Sequence, residues 1–232
     1  MGKDVLFEFI GTAILILLGS GICANVNLKN TFGNKAGWAV ITIGWGLAVF
    51  VAAFISFPYS GAHLNPALTI GLAIAGSFKG NITGYIIAQM LGAITGACLT
   101  YIMYKPHFDA EDNPDVKLGV FCTRPAIKST FFNFMSEVIG TFVLVFGVFM
   151  AAGSAIAGPL PVGLLVIVIG MSLGGTTGYA INPARDLGPR IAHFLLPIKD
   201  KRDSNWGYAW IPVVAPTVGG ILAALLYLAV KS

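Results

Sequence analysis

Apolar residues run through this chain in long stretches with few charges to interrupt them. Six stretches, at roughly 5–24, 38–58, 82–104, 131–152, 160–176 and 209–229, reach or approach the about 20 helical residues that a bilayer crossing needs. Two shorter segments, roughly 66–76 and 183–195, each begin just after an Asn-Pro pair and are too short to span. Proline suits the first turn of a helix, where its missing N–H would be unpaired anyway. Asparagine suits the position before it, as the cap. Asn65-Pro66 and Asn182-Pro183 therefore predict two half-helices. Residues 61–64 and 178–181 are expected to run extended into them, because the residue before proline avoids the α region.

The pattern occurs twice. Glu8-Phe9-Ile10-Gly11-Thr12 returns as Glu137-Val138-Ile139-Gly140-Thr141, and Asn65-Pro66-Ala67 returns as Asn182-Pro183-Ala184. The unit is span, span, half-helix, span. Three full spans is an odd number, so the second copy enters the membrane from the opposite side and the half-helices meet near the midplane. The predicted fold is an all-α membrane protein with six transmembrane helices and two re-entrant half-helices in an inverted repeat. It forms a single domain over 1–232, with repeat one at about 1–104, a connecting loop at about 105–130 and repeat two at about 131–232. Loops 25–37, 105–130 and 196–208 fall on one face, and 77–81 and 153–159 on the other.

Composition agrees with a lipid setting. Charged residues make up 10% of the chain, against about 25% in soluble domains, and the mean hydropathy is +0.81. The net charge of +4 is scattered, with no basic run or nucleic-acid motif. Cys23, Cys98 and Cys122 have neither metal-ligand spacing nor a disulfide framework, and no metal or other cofactor is expected. No cleavable signal peptide is expected ahead of the first span.

The chemistry concentrates at the half-helices. Asn65 and Asn182 would offer amide donors at the midplane to a hydroxyl or a water. The backbone of Gly61, Ala62, His63, Leu64, Gly178, Ala180 and Ile181 would line a lumen with free carbonyls, tolerated at membrane depth only in such a place. Two helix N-termini facing each other repel cations and protons. Arg185, inside a short intramembrane helix, points to function, whereas Asp186 in the first turn reads as structural. Glu8 and Glu137, at matching repeat positions, read as acceptors for the backbone of the re-entrant loops. His63 reads first as a structural residue and second as a gate. Gly170-Met171-Ser172-Leu173-Gly174 fits the Gly-x-Ser-x-Gly nucleophile pattern, but in an apolar helix such small residues serve close packing.

On these motifs the chain resembles the major intrinsic protein (aquaporin) family over nearly its whole length. Ser60-Gly-Ala-His-Leu-Asn-Pro-Ala67 and Gly178-Tyr-Ala-Ile-Asn-Pro-Ala-Arg-Asp186 carry the resemblance. Asp186 after Arg185, then Arg190, and non-aromatic Pro212-Val213 are similar to the glycerol-facilitator branch. The resemblance implies a passive channel for glycerol and other small uncharged solutes, with water, that excludes ions. It also implies a homotetramer with one pore per subunit, in the cell membrane, with both termini cytoplasmic. The count of Lys and Arg in the large loops would instead put the termini outside. By position, the resemblance implies a constriction of Trp45, Gly170, Tyr179 and Arg185. Tyr179 stands where glycerol channels usually have phenylalanine, which leaves a channel mainly for undissociated lactic acid or a similar small hydroxy acid as the alternative; urea and dihydroxyacetone are further solutes the resemblance allows. A secondary active transporter would need an ionisable cluster at the broken helices, and an intramembrane hydrolase would need Ser172. No such cluster is visible, and Ser172 lacks the strand-turn-helix elbow and positioned base that a nucleophile needs.

Overall fold

A computed structural model describes residues 2–152 and 158–231. Residues 153–157, within the loop expected at 153–159, lie outside the described residues. The elements are helices: α1 (Lys3–Asn27), α2 (Trp38–Ser60), α3 (Pro66–Ile74), α4 (Ile82–Ala110), α5 (Pro114–Phe121), α6 (Thr130–Ala152), α7 (Pro159–Ser172), α8 (Pro183–Leu195), α9 (Trp206–Ala209) and α10 (Ile211–Lys231). Five segments are long and apolar enough to cross a membrane, the last counted from Trp206 through α9 and α10.

The sixth crossing, α7, has 14 residues and stops at Ser172 rather than near residue 176. Gly174 and Gly175 follow just after the cap residue Leu173, and each glycine costs about 1 kcal/mol in a helix interior. The connection at 105–130 is not all loop. Helix α4 continues through Pro106 to Ala110, and Asn113-Pro114 starts α5, with Asn113 Oδ1 accepting from Asp115 N at 2.9 Å.

Packing shows the inverted repeat directly. Helix α1 packs on α4 and α2, and α6 packs on α10 and α7. The half-helices cross over, α3 lying on α10 and α8 on α4, so each repeat is closed by a helix of the other. The same close approach recurs in both halves. A Cβ at Gly92 would stand 2.4 Å from Phe9 O, and one at the matching Gly219 would stand 2.4 Å from Val138 O. Between the halves, a Cβ at Gly46 would meet Gly163 O at 2.6 Å, and one at Gly163 would meet Gly46 O at 2.8 Å. Such reciprocal contact between counterparts is what a two-fold relation produces.

Candidate functional site

The two half-helices start at the centre of the molecule, and their caps are made by the expected residues. Asn65 Oδ1 accepts from Ala67 N at 2.9 Å; Asn182 Oδ1 accepts from Ala184 N at 3.0 Å and Arg185 N at 3.2 Å. Each amide then crosses to the other loop. Asn65 Nδ2 donates to Ile181 O at 2.9 Å, and Asn182 Nδ2 donates to Leu64 O at 2.8 Å. An amide nitrogen has two hydrogens, so one on each asparagine is left for a guest. Both asparagines line a cavity of about 230 Å³.

The loops leading to the caps are not extended, as the rule for pre-proline residues had suggested. That rule governs only Asn65 and Asn182, whose φ values are −157° and −158°. Before them, Gly61, Ala62 and Leu64 lie at φ 77°, 52° and 50°, and Gly178, Tyr179 and Ile181 at 81°, 38° and 43°. Left-handed backbone costs an L-residue roughly 1–2 kcal/mol, and for a β-branched residue such as Ile181 it is rare. Two buried carboxylates hold it in place. Glu8 accepts His63 N at 2.9 Å and Leu64 N at 2.7 Å, with Ser60 Oγ and Gln89 Nε2 each at 2.7 Å. Glu137 accepts Ala180 N at 2.9 Å, Ile181 N at 2.8 Å and Thr177 Oγ1 at 2.7 Å. Every partner is a donor, so an ionised carboxylate is the form that fits. With the N–H groups drawn back, the carbonyls of Gly61, Ala62, His63, Tyr179 and Ala180 receive no hydrogen bond from the described residues, and all five residues line the same cavity.

At one end of this cavity stand Trp45, Tyr179 and Arg185, which also line a second cavity of about 460 Å³ beyond them. These three residues form the boundary between the two spaces. The Arg185 guanidinium lies 3.8 Å from the centre of the Trp45 ring, and none of the described residues accepts a hydrogen bond from its side chain. Arg185 does not pair with Asp186. Asp186 is fully buried, takes Thr123 N at 2.7 Å and Thr123 Oγ1 at 2.6 Å, and binds Arg190 through Nε at 2.8 Å and Nη2 at 2.7 Å. Gly170 lines neither cavity but lies behind the Tyr179 ring, where an added Cβ would be 2.9 Å from both Tyr179 Cζ and Thr42 Cγ2. The Tyr179 hydroxyl is buried and has no hydrogen-bond partner among the described residues, so the residue shows the passage its ring. His63 lines the first cavity; its Nδ1 sits 3.1 Å from Thr69 Oγ1 and its ring packs against Phe78 and Tyr85. Ser172 Oγ donates to Val168 O at 2.6 Å on an exposed face of α7 and lines neither cavity.

The sequence matches the family model described as "Major intrinsic protein" over residues 1–227. The chain belongs to that family. It is 54% identical over 226 residues to a "Probable glycerol uptake facilitator protein" of Thermotoga maritima, covering 96% of this chain and 97% of that one. It is 55% identical over 224 residues to the "Glycerol uptake facilitator protein" of Bacillus subtilis, covering 95% and 82%. Among solved structures, the aquaglyceroporin from Plasmodium falciparum superposes with a TM-score of 0.87 at 34% identity, over 99% of this chain and 96% of that one.

Three contacts in this major intrinsic protein's central region are not foreseen by the sequence. Cys23 Sγ accepts from Trp45 Nε1 at 3.3 Å and so holds the indole under Arg185. Gly174 borders Tyr179, whose Cδ1 would be 2.3 Å from an added Cβ. Trp38 lies edge-on to the Tyr179 ring, centroids 5.7 Å apart. The four-residue spacing of Gly170 and Gly174 was the available signal, since it marks a small-residue face that a neighbour must fill.

Proposed function

We propose that this integral membrane protein is a passive channel for glycerol and similar small uncharged solutes, with water passing alongside. It belongs to a family of channels and is not an enzyme. The observation that supports the solute class best is the set of groups at the narrow boundary. Trp45 and the Tyr179 ring offer an apolar corner, while Arg185 and the unpaired carbonyls of the two loops face the same space. A three-carbon polyol has one alkyl edge and one hydroxyl edge, and it meets both at once. Relatives named glycerol uptake facilitators, 54% and 55% identical, support the same reading.

In this account Asn65 and Asn182 hand a solute hydroxyl across the midplane through their spare amide hydrogens. The N-termini of α3 and α8 carry about half a positive charge each, so cations and protons are turned back there. The buried Tyr179 hydroxyl removes the reason for favouring a more polar solute such as lactic acid. Each chain holds its own passage. We propose a homotetramer in the plasma membrane with both termini cytoplasmic, on the family resemblance.

The test is stopped-flow light scattering on proteoliposomes. Rapid re-swelling in a glycerol gradient, far above protein-free vesicles, is expected. Fast water flow without glycerol flow would refute the solute assignment. Uptake of lactic acid at low pH that exceeds glycerol uptake would transfer the assignment to small hydroxy acids.

A further inference from the structure

We propose that Trp38 is a positioning residue for solute size selection: it fixes the Tyr179 ring and so sets the largest polyol the passage admits. This rests on reading Trp45, Tyr179 and Arg185 as the selective constriction. Trp38 is the first residue of α2, and its Nε1 donates to Gly170 O at 3.1 Å. That carbonyl lies in the last turn of α7, where carbonyls lack an intrahelical donor. The bond therefore pins the start of α2 to the end of α7, across the helix pair that flanks Tyr179. The indole also meets the Tyr179 ring at an interplanar angle of 84° and a centroid distance of 5.7 Å, the edge-to-face geometry that aromatic pairs prefer.

Apart from the sides that face the two cavities, the Tyr179 ring is backed by the end of α7. Gly170 and Gly174 lie against the ring so tightly that a Cβ on either would have to displace something. Trp38, by contrast, lines the second cavity of about 460 Å³ and also a neighbouring one of about 440 Å³. Removing the indole would therefore give the Tyr179 ring open space to swing into, and the constriction would widen. A different role is conceivable for a tryptophan at a helix start near the membrane surface, namely an interfacial anchor. An anchor affects insertion and stability. It does not change the ratio in which two solutes pass.

The experiment measures erythritol and glycerol permeability in proteoliposomes, with water permeability as the count of open channels, for the wild type, W38F, W38A, Y179A and the W38A/Y179A pair. Trp38→Ala is expected to raise the erythritol-to-glycerol ratio roughly three- to ten-fold, the size of one aromatic contact. Trp38→Phe, which keeps a ring but loses the bond to Gly170, is expected to fall between. Tyr179→Ala is expected to raise the ratio at least as far, with the double variant no further, because Trp38 acts through Tyr179. If Tyr179→Ala moves the ratio and Trp38→Ala does not, the positioning role is overturned and the constriction stands. If the two effects multiply in the double variant, Trp38 acts apart from Tyr179 and the proposal is again overturned. If neither substitution moves the ratio, the constriction reading fails and the proposal with it. Should Trp38→Ala not insert, Trp38→Leu keeps more apolar surface at the site while still removing the ring contact and the bond to Gly170 O, and it decides the matter.

Discussion

Replacing Glu137 by glutamine keeps the side-chain volume and changes only what the group offers its three donors. The carboxylate is buried and takes Thr177 Oγ1 and Ala180 N on one oxygen and Ile181 N on the other. A glutamine oxygen can serve the first two, but its NH₂ then faces the Ile181 N–H, donor against donor. An unsatisfied buried N–H costs about 1–3 kcal/mol, and the two surviving bonds each lose about 1 kcal/mol with the charge. The expected total is about 3–5 kcal/mol of stability. Glu8→Gln should cost a similar amount, because its new NH₂ would face Leu64 N–H and Gln89 Nε2, and a turn of the Gln89 amide would give up its bond to Thr69 Oγ1 at 3.0 Å. Equilibrium unfolding in mixed detergent micelles measures both. A Glu137→Gln protein within about 0.5 kcal/mol of the wild type would refute the claim that these carboxylates hold the left-handed loops.

Asp186→Asn should cost about 3–5 kcal/mol in the same assay, because it leaves the buried Arg190 guanidinium without its counter-charge. A thermal unfolding midpoint unchanged from wild type would contradict that. Gly174→Ala should push the Tyr179 ring toward Arg185 and lower glycerol flux more than water flux, since its Cβ would lie 2.3 Å from Tyr179 Cδ1. Equal reductions of both fluxes would speak against it. Cys23→Ala removes the acceptor of a buried indole N–H, so it should cost about 1–2 kcal/mol and loosen Trp45 under Arg185. Detergent unfolding reads the stability, and a shift in tryptophan fluorescence reads the indole.

Much of the fold was legible because it rests on local chemistry. Asn65-Pro66 and Asn182-Pro183 announce cap and first turn together, and the repeat of Glu8 and Glu137 gives the inverted relation without any long-range knowledge. The backbone of 61–64 and 178–181 was not legible. Local sterics argue against left-handed Leu64, Tyr179 and Ile181, and only carboxylates arriving from α1 and α6 make those conformations stable. Helix α5 was hidden for the opposite reason. Its eight residues carry Asp115 and Lys117 and do not stand out as apolar, and its N-terminal signal, Asn113-Pro114, lay inside a stretch dismissed as polar. Of the four residues expected at the constriction, Trp45, Tyr179 and Arg185 meet at one boundary, whereas Gly170 stands behind the Tyr179 ring, and the support around them was not legible. Trp38 and Cys23 act across helix pairs, and nothing in their own neighbourhoods says which ring they touch.

The central claim is that solute passes down its gradient through a fixed passage without coupling. It is tested most directly by following labelled glycerol in sealed proteoliposomes under an imposed proton or sodium gradient. The account predicts that internal glycerol rises quickly and stops at the external concentration, whichever way the ion gradient is set. Accumulation above the external concentration, abolished when the ion gradient is collapsed, would contradict it and make the protein a coupled carrier.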